Sequence, residues 1–102
     1  MLYLDYAILT KTLIKLKEQS SKEWYIIVNP HAGSKKTQRD WPHIIQLLDG
    51  EGIVFQSVFT EFQYHATELA RKAIVNMGYR KLIVVGGDGT LNEVLNGIIT
   101  QD

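Results

Sequence analysis

The sequence predicts an α/β fold: a parallel sheet with helices on both faces, three layers in all, preceded by one amphipathic helix. Two observations carry this. Short runs rich in strand formers, at Trp24–Val28, Ile53–Phe59 and Leu82–Val85, alternate with segments whose apolar residues recur at helical spacing. The first and third runs are also nearly continuous in apolar residues, as strands covered on both faces require, whereas a strand with one wet face would alternate. The expected order is βαβαβα after the leading helix, with right-handed crossovers.

Residues 1–22 form the predicted leading helix and its linker. Leu2, Tyr6, Leu9, Leu13 and Leu16 are spaced by alternating steps of four and three, with Lys11, Lys15, Lys17 and Glu18 elsewhere on the turn. Asp5 interrupts the apolar part and the lysines come last, which is the wrong order for a secretory signal. The helix is expected to dock on the domain. Gln19-Ser20-Ser21-Lys22 then makes a short polar connection.

Trp24–Val28 is the first strand of the domain spanning 23–102, and it ends at Asn29-Pro30-His31-Ala32-Gly33-Ser34. Proline ends the ladder, Asn-Pro starts a turn, and Gly33 permits an unusual backbone angle. Lys35, Lys36 and Thr37 superficially resemble the end of a Walker A loop, but the required Gly-Lys-Thr or Gly-Lys-Ser is absent. Asp40 is the expected cap of a helix carrying Ile44, Ile45, Leu47 and Leu48 and stopping near Gly50 or Gly52. His43 in its first turn has no second ligand at metal spacing. Ile53–Phe59 puts Phe55 and Phe59 on one face and Val54 and Val58 on the other, and closes with Thr60. Ala66, Leu69, Ala70, Ala73, Ile74 and Met77 mark the stripe of the next helix, which ends near Gly78.

The chain culminates in Leu82-Ile83-Val84-Val85-Gly86-Gly87-Asp88-Gly89-Thr90-Leu91-Asn92-Glu93-Val94, which reads as strand, glycine turn and helix. Glycines at 86, 87 and 89 are expected to take positive φ and approach a ligand closely. The following helix, starting near Leu91, turns its unpaired N–H groups toward an anion, and phosphate fits best. Thr90 and Glu93 have the capping-box spacing and serve either the helix end or the ligand. Asp88, flanked by glycines, would repel that anion unless a divalent cation or a hydroxyl proton lay between them. In parallel sheets ligands bind beyond the carboxyl ends of the strands, so Asn29 with Gly33, Thr60 with His65, and Gly86 through Thr90 are expected to converge on one crevice.

Composition narrows the class. Lys plus Arg and Asp plus Glu both number 11, which gives no nucleic-acid footprint. The chain has no cysteine, hence neither disulfides nor thiolate chemistry, in keeping with a reducing compartment. No apolar run approaches the roughly 20 residues of a spanning helix, so a cytoplasmic protein, at most peripheral at the inner face of a membrane, is expected.

Gly86-Gly87-Asp88-Gly89-Thr90-Leu91-Asn92-Glu93-Val94, together with Asn29-Pro30-His31-Ala32-Gly33 and with Thr60 before His65-Ala66, resembles the amino-terminal catalytic region of the diacylglycerol kinase family. That family extends to bacterial lipid kinases and to sphingosine and ceramide kinases. The resemblance implies a nucleotide-binding domain like those of 6-phosphofructokinases and NAD kinases, and ATP-dependent phosphorylation of diacylglycerol or a related lipid. It puts ATP in the crevice, with Asn29, Gly33, Thr60, Gly86, Gly87, Gly89, Thr90 and Glu93 as nucleotide-binding residues. Asp88 would be the catalytic and magnesium-facing carboxylate. The middle motif often reads Gly-His-Ala in the family, whereas this chain has Tyr64-His65-Ala66. Family members carry a further, largely β domain that holds the lipid, so this chain is expected to supply the nucleotide half-site alone, to be silent by itself, and to self-associate through uncovered apolar surface. The alternatives are a small-molecule kinase of the NAD kinase type and a non-catalytic nucleotide-binding module.

Overall fold

The computed structural model describes the backbone of residues 2–4 and the whole of residues 23–33 and 35–99. Its elements are β1 (Leu2–Leu4), β2 (Trp24–Val28), α1 (Lys36–Gly50), β3 (Phe55–Phe59), α2 (His65–Val75), β4 (Leu82–Val85) and α3 (Asp88–Ile99). The strands form one sheet in the order β1-β4-β2-β3, with every neighbouring pair parallel.

The apolar runs at β2 and β4 become central strands because both faces are covered. Trp24, Ile26, Val28, Ile83 and Val85 pack against Trp41, Ile44 and Leu48 of α1. Tyr25, Ile27, Leu82 and Val84 pack against Ala66, Ala70 and Ala73 of α2 and Val94 of α3. All five residues of β2 and all four of β4 are buried. β3 is the sheet edge, and its Gln56 and Ser57 are exposed. Ile53 lies just before the strand, buried in the α1-side core. The alternation within β3 is as expected: Phe55 joins the α1 side, and Val58 the α2 side. Phe59 meets Trp41 edge to face at 5.8 Å, on the α1 side.

Three expectations are corrected. Leu2–Leu4 is not helical: it is a strand whose register pairs Leu2 with Ile83 and Leu4 with Val85. Spacings of three and four among leucines suit a helix, but a free parallel edge on β4 competes for the same backbone. The rest of the predicted leading helix, 5–22, lies outside the described residues. Helix α1 begins at Lys36 rather than at Asp40, and Lys35 ahead of it adopts φ 70° with no side-chain cap. Asp40 and Pro42 therefore lie within the helix, where proline forfeits one backbone hydrogen bond. Helix α3 begins at Asp88 rather than near Leu91, directly after the glycine pair.

Helices α2 and α3 approach so closely that only small residues fit between them. Ala66, Ala70 and Ala73 are fully buried. Gly97 faces α2, and the Thr67 hydroxyl donates to the Glu93 carbonyl at 2.8 Å. This contact fixes the direction in which the amino terminus of α3 points. Among the described residues no helix is long and apolar enough to cross a membrane.

Candidate functional site

Register brings the three strand ends level. Val28 of β2 pairs with both Phe59 of β3 and Val85 of β4. The next residues, Asn29, Thr60 and Gly86, therefore stand in a row along the carboxyl edge. Backbone bonds continue the ladder by one step: Asn29 N–H donates to the Val85 carbonyl at 2.9 Å, and Thr60 N–H to the Val28 carbonyl at 2.8 Å. From here β2 leads to α1 on one face, while β4 leads to α3 on the other. Such a divergence opens a crevice at the sheet edge.

A cleft of about 460 Å³ occupies that place. The first loop contributes Asn29, His31, Ala32 and Gly33; the second contributes Thr60, Glu61, Phe62 and Gln63; the turn after β4 and the start of α3 contribute Gly87, Gly89, Thr90 and Glu93. The structure thus gathers Asn29, Gly33, Thr60, Gly87, Gly89, Thr90 and Glu93 around one space. Gly86 is buried and absent from the lining, and Asp88 and His65 are also outside it.

The loops are tied together through Asn29. Its Nδ2 donates to Thr90 Oγ1 at 3.1 Å, and its Oδ1 accepts from the His31 N–H at 3.0 Å. The side-chain amide thus locks the turn after β2 onto the first turn of α3. Thr90 is only 5% exposed and lies inside the helix, so Thr90 and Glu93 do not form a capping box.

The glycines work differently from the expectation. Among the described residues the glycines with φ above zero are Gly33, Gly52 and Gly78; Gly86, Gly87 and Gly89 are not among them. Gly33, at φ 63°, turns the first loop back toward α1. At Gly86 a Cβ would lie 2.6 Å from Thr90 Oγ1 and 2.9 Å from Thr90 Cβ. That glycine makes room for the threonine, not for a ligand. Nothing lies within 4 Å of a Cβ built on Gly87 or Gly89, which leaves their backbone open beside the cleft.

The charge pattern is distinctive. Glu61 and Glu93 line the cleft, and the described lining contains neither lysine nor arginine. The positive field there comes from the amino terminus of α3, whose first-turn N–H groups have no intrahelical acceptor. Asp88 is the exposed first residue of that helix, between two glycines that do line the cleft. Among the described residues no three acidic or histidine side chains gather as a metal cage. A lone carboxylate such as Asp88 could hold magnesium, a cation that keeps several waters and shares its remaining bonds with substrate phosphates.

His31 and Ala32, which belong to the Asn29–Gly33 motif but were not named as site residues, and Glu61, Phe62 and Gln63, which no motif marked, also line the cleft. For the last three the available signal was their place in the short loop between Thr60 and the next helix.

Comparison with known proteins adds an independent line. Residues 23–102 match the family model described as the diacylglycerol kinase catalytic domain. The chain is 40% identical over 81 residues to the Bacillus subtilis protein named "Putative lipid kinase YtlR", a match covering 78% of this chain and 26% of that protein. It is 40% identical over 76 residues to a diacylglycerol kinase of Staphylococcus haemolyticus, covering 74% of this chain and 23% of the kinase. It is also 33% identical over 84 residues to sphingoid long-chain bases kinase 1 of Arabidopsis thaliana, covering 81% of this chain and 11% of that protein. The aligned part of the chain thus spans about a quarter or less of the length of these relatives.

Proposed function

The chain belongs to the diacylglycerol kinase catalytic domain family, and from that premise we propose that it forms the nucleotide half of a lipid kinase that passes the γ-phosphoryl group of ATP to a lipid hydroxyl. The observation that carries this is the convergence of Asn29, Thr60 and the start of α3 on one cleft at the carboxyl edge of the sheet. Diacylglycerol and sphingoid bases are the acceptors named in the relatives, and the proposed acceptor class is a lipid alcohol of this kind. The same proposal takes the fold as the three-layer nucleotide-binding domain of the 6-phosphofructokinase and NAD kinase type. Helices on both faces of the sheet support it.

In this mechanism the open backbone at Gly87 and Gly89 and the amino terminus of α3 receive the phosphates. Gly86 and Asn29 act indirectly, by seating Thr90 and joining the loops. Gly33 and Thr60 shape the opposite wall, and Glu93 borders the phosphate end. The acceptor oxygen bonds to the γ-phosphorus as the bond from that phosphorus to the β,γ-bridging oxygen breaks, and ADP leaves. The Asp88 carboxylate takes the hydroxyl proton. Asp88 would also hold magnesium, which would supply charge neutralisation to the transferring group. The match covers about a quarter or less of the relatives' length, and residues 23–99 alone are expected not to phosphorylate a lipid.

A chimera tests this. Residues 23–99 replace the matching segment of the Staphylococcus haemolyticus diacylglycerol kinase, and transfer from ATP to diacylglycerol is followed. The chimera is expected to be active and the isolated chain inactive. Robust lipid phosphorylation by the isolated chain would contradict the half-site. A folded chimera that binds ATP without turnover would instead make this segment a nucleotide-binding module.

A further inference from the structure

Phe62 is 57% exposed, yet its ring is engaged by a neighbouring side chain. It lies in the loop between β3 and α2 and lines the cleft. One face of its ring is stacked on the His65 imidazole, with centroids 4.1 Å apart and planes inclined by 18°. The imidazole is anchored in turn, because its Nδ1 accepts the Glu61 backbone N–H at 2.9 Å. The His65 N–H donates to the Phe62 carbonyl at 3.1 Å, closing the loop on itself. Between them Tyr64 adopts φ 69° with its side chain exposed. A non-glycine residue in that region costs on the order of 1 kcal/mol, so the loop contacts must hold the shape against strain.

An isolated exposed aromatic is ordinary on a protein surface. A ring stacked on a neighbour, still more than half exposed and set in the wall of a cleft is a preorganised platform for a flat partner. We infer that Phe62, backed by His65, receives the heterocyclic base of the nucleotide on its exposed surface. The inference rests on the nucleotide reading above and deepens it. Gly87, Gly89 and Thr90, proposed above to receive the phosphates, belong to the start of α3, a different segment of the lining from the loop that carries Phe62. A base and its phosphates are themselves separated by a sugar, so a ligand with both fits two walls better than a phosphate alone. Glu61 and Gln63 flank Phe62 in the lining and offer acceptors, and in Gln63 a donor, to the base edge. Base–aromatic stacking is tolerant of base identity, so the Phe62 ring itself does not choose between adenine and guanine.

The test is a titration of the full chain with ATP and, separately, with inorganic triphosphate, both with magnesium, for wild type, Phe62→Ala and Phe62→Trp. Wild type should bind ATP more tightly than triphosphate. Phe62→Ala should weaken ATP by about tenfold, the scale of one stacked base, and leave triphosphate unchanged. Phe62→Trp should keep ATP affinity, which separates stacking from bulk loss of the side chain. Equal affinity of wild type for ATP and triphosphate would overturn the platform while leaving the phosphate site intact. So would an unaltered ATP affinity in Phe62→Ala, or equal weakening of both ligands. Wild type binding neither ligand would overturn the nucleotide reading itself, and the platform with it. Because Phe62 is exposed, its replacement should hardly move the thermal melt, and the melt verifies folding in each variant.

Discussion

Gly97→Ala should destabilise the protein by about 2 kcal/mol or more, lowering the melting temperature by roughly 10 °C. The added Cβ would lie 2.4 Å from the Thr67 carbonyl oxygen and 3.1 Å from the Ala70 Cβ. Neither can swing away, since one is helix backbone and the other the first atom of a fully buried side chain. Helices α2 and α3 would have to part, opening the layer formed by Ala66, Ala70, Ala73 and Val94 and stretching the Thr67–Glu93 bond. Gly50→Ala is the control, because nothing lies within 4 Å of its Cβ at the end of α1 and alanine is the better helix former. Thermal melts of the two variants followed by circular dichroism decide the matter. Equal melts would mean that the α2–α3 contact is not the tight one described.

Asp88→Asn in the chimera should cut turnover by two to four orders of magnitude, the range for a proton acceptor in the transition state. The substitution keeps size and removes charge. Asp88 is exposed at the start of α3, so the structural cost is limited to the helix-end term of about 0.3–1 kcal/mol. A large loss of rate with a nearly unchanged melt would therefore be chemical. Magnesium provides a second readout of opposite sign. Without the metal, removing a carboxylate beside the phosphates should strengthen ATP binding; with it, wild type should regain the advantage. Full turnover in Asp88→Asn, measured as kcat with KM for ATP, would remove the aspartate from the chemistry.

Much of the sheet was legible because its strands carry their own punctuation. Trp24–Val28 ends at Asn29-Pro30 and Leu82–Val85 at Gly86-Gly87, and the strands end at those residues. The convergence of Asn29, Thr60 and the glycine turn followed from strand polarity alone, since the carboxyl ends of parallel strands share an edge. Helix starts were less legible because tertiary contacts set them. Thr90 is drawn into the first turn of α3 by its seat under Gly86 and by Asn29, 61 residues away. Local spacing instead suggested a cap. The role of Gly86 was hidden for the same reason: a glycine that spares a neighbour and one that admits a phosphate look alike in sequence. Leu2–Leu4 shows the limit most plainly, because its strand exists only through pairing with β4, some 80 residues on. Phe62 gave no periodic signal; its stack on His65 arises from a loop shape that includes a left-handed tyrosine.

On the proposed reading, the cleft beyond β2, β3 and β4 is a nucleotide site completed by the amino terminus of α3. Calorimetric titration of the full chain with ATP, with and without magnesium, decides whether the cleft takes a nucleotide. Saturable binding that magnesium strengthens and inorganic triphosphate displaces is the predicted result. A cooperatively folded chain that binds neither ATP nor triphosphate under either condition would contradict it.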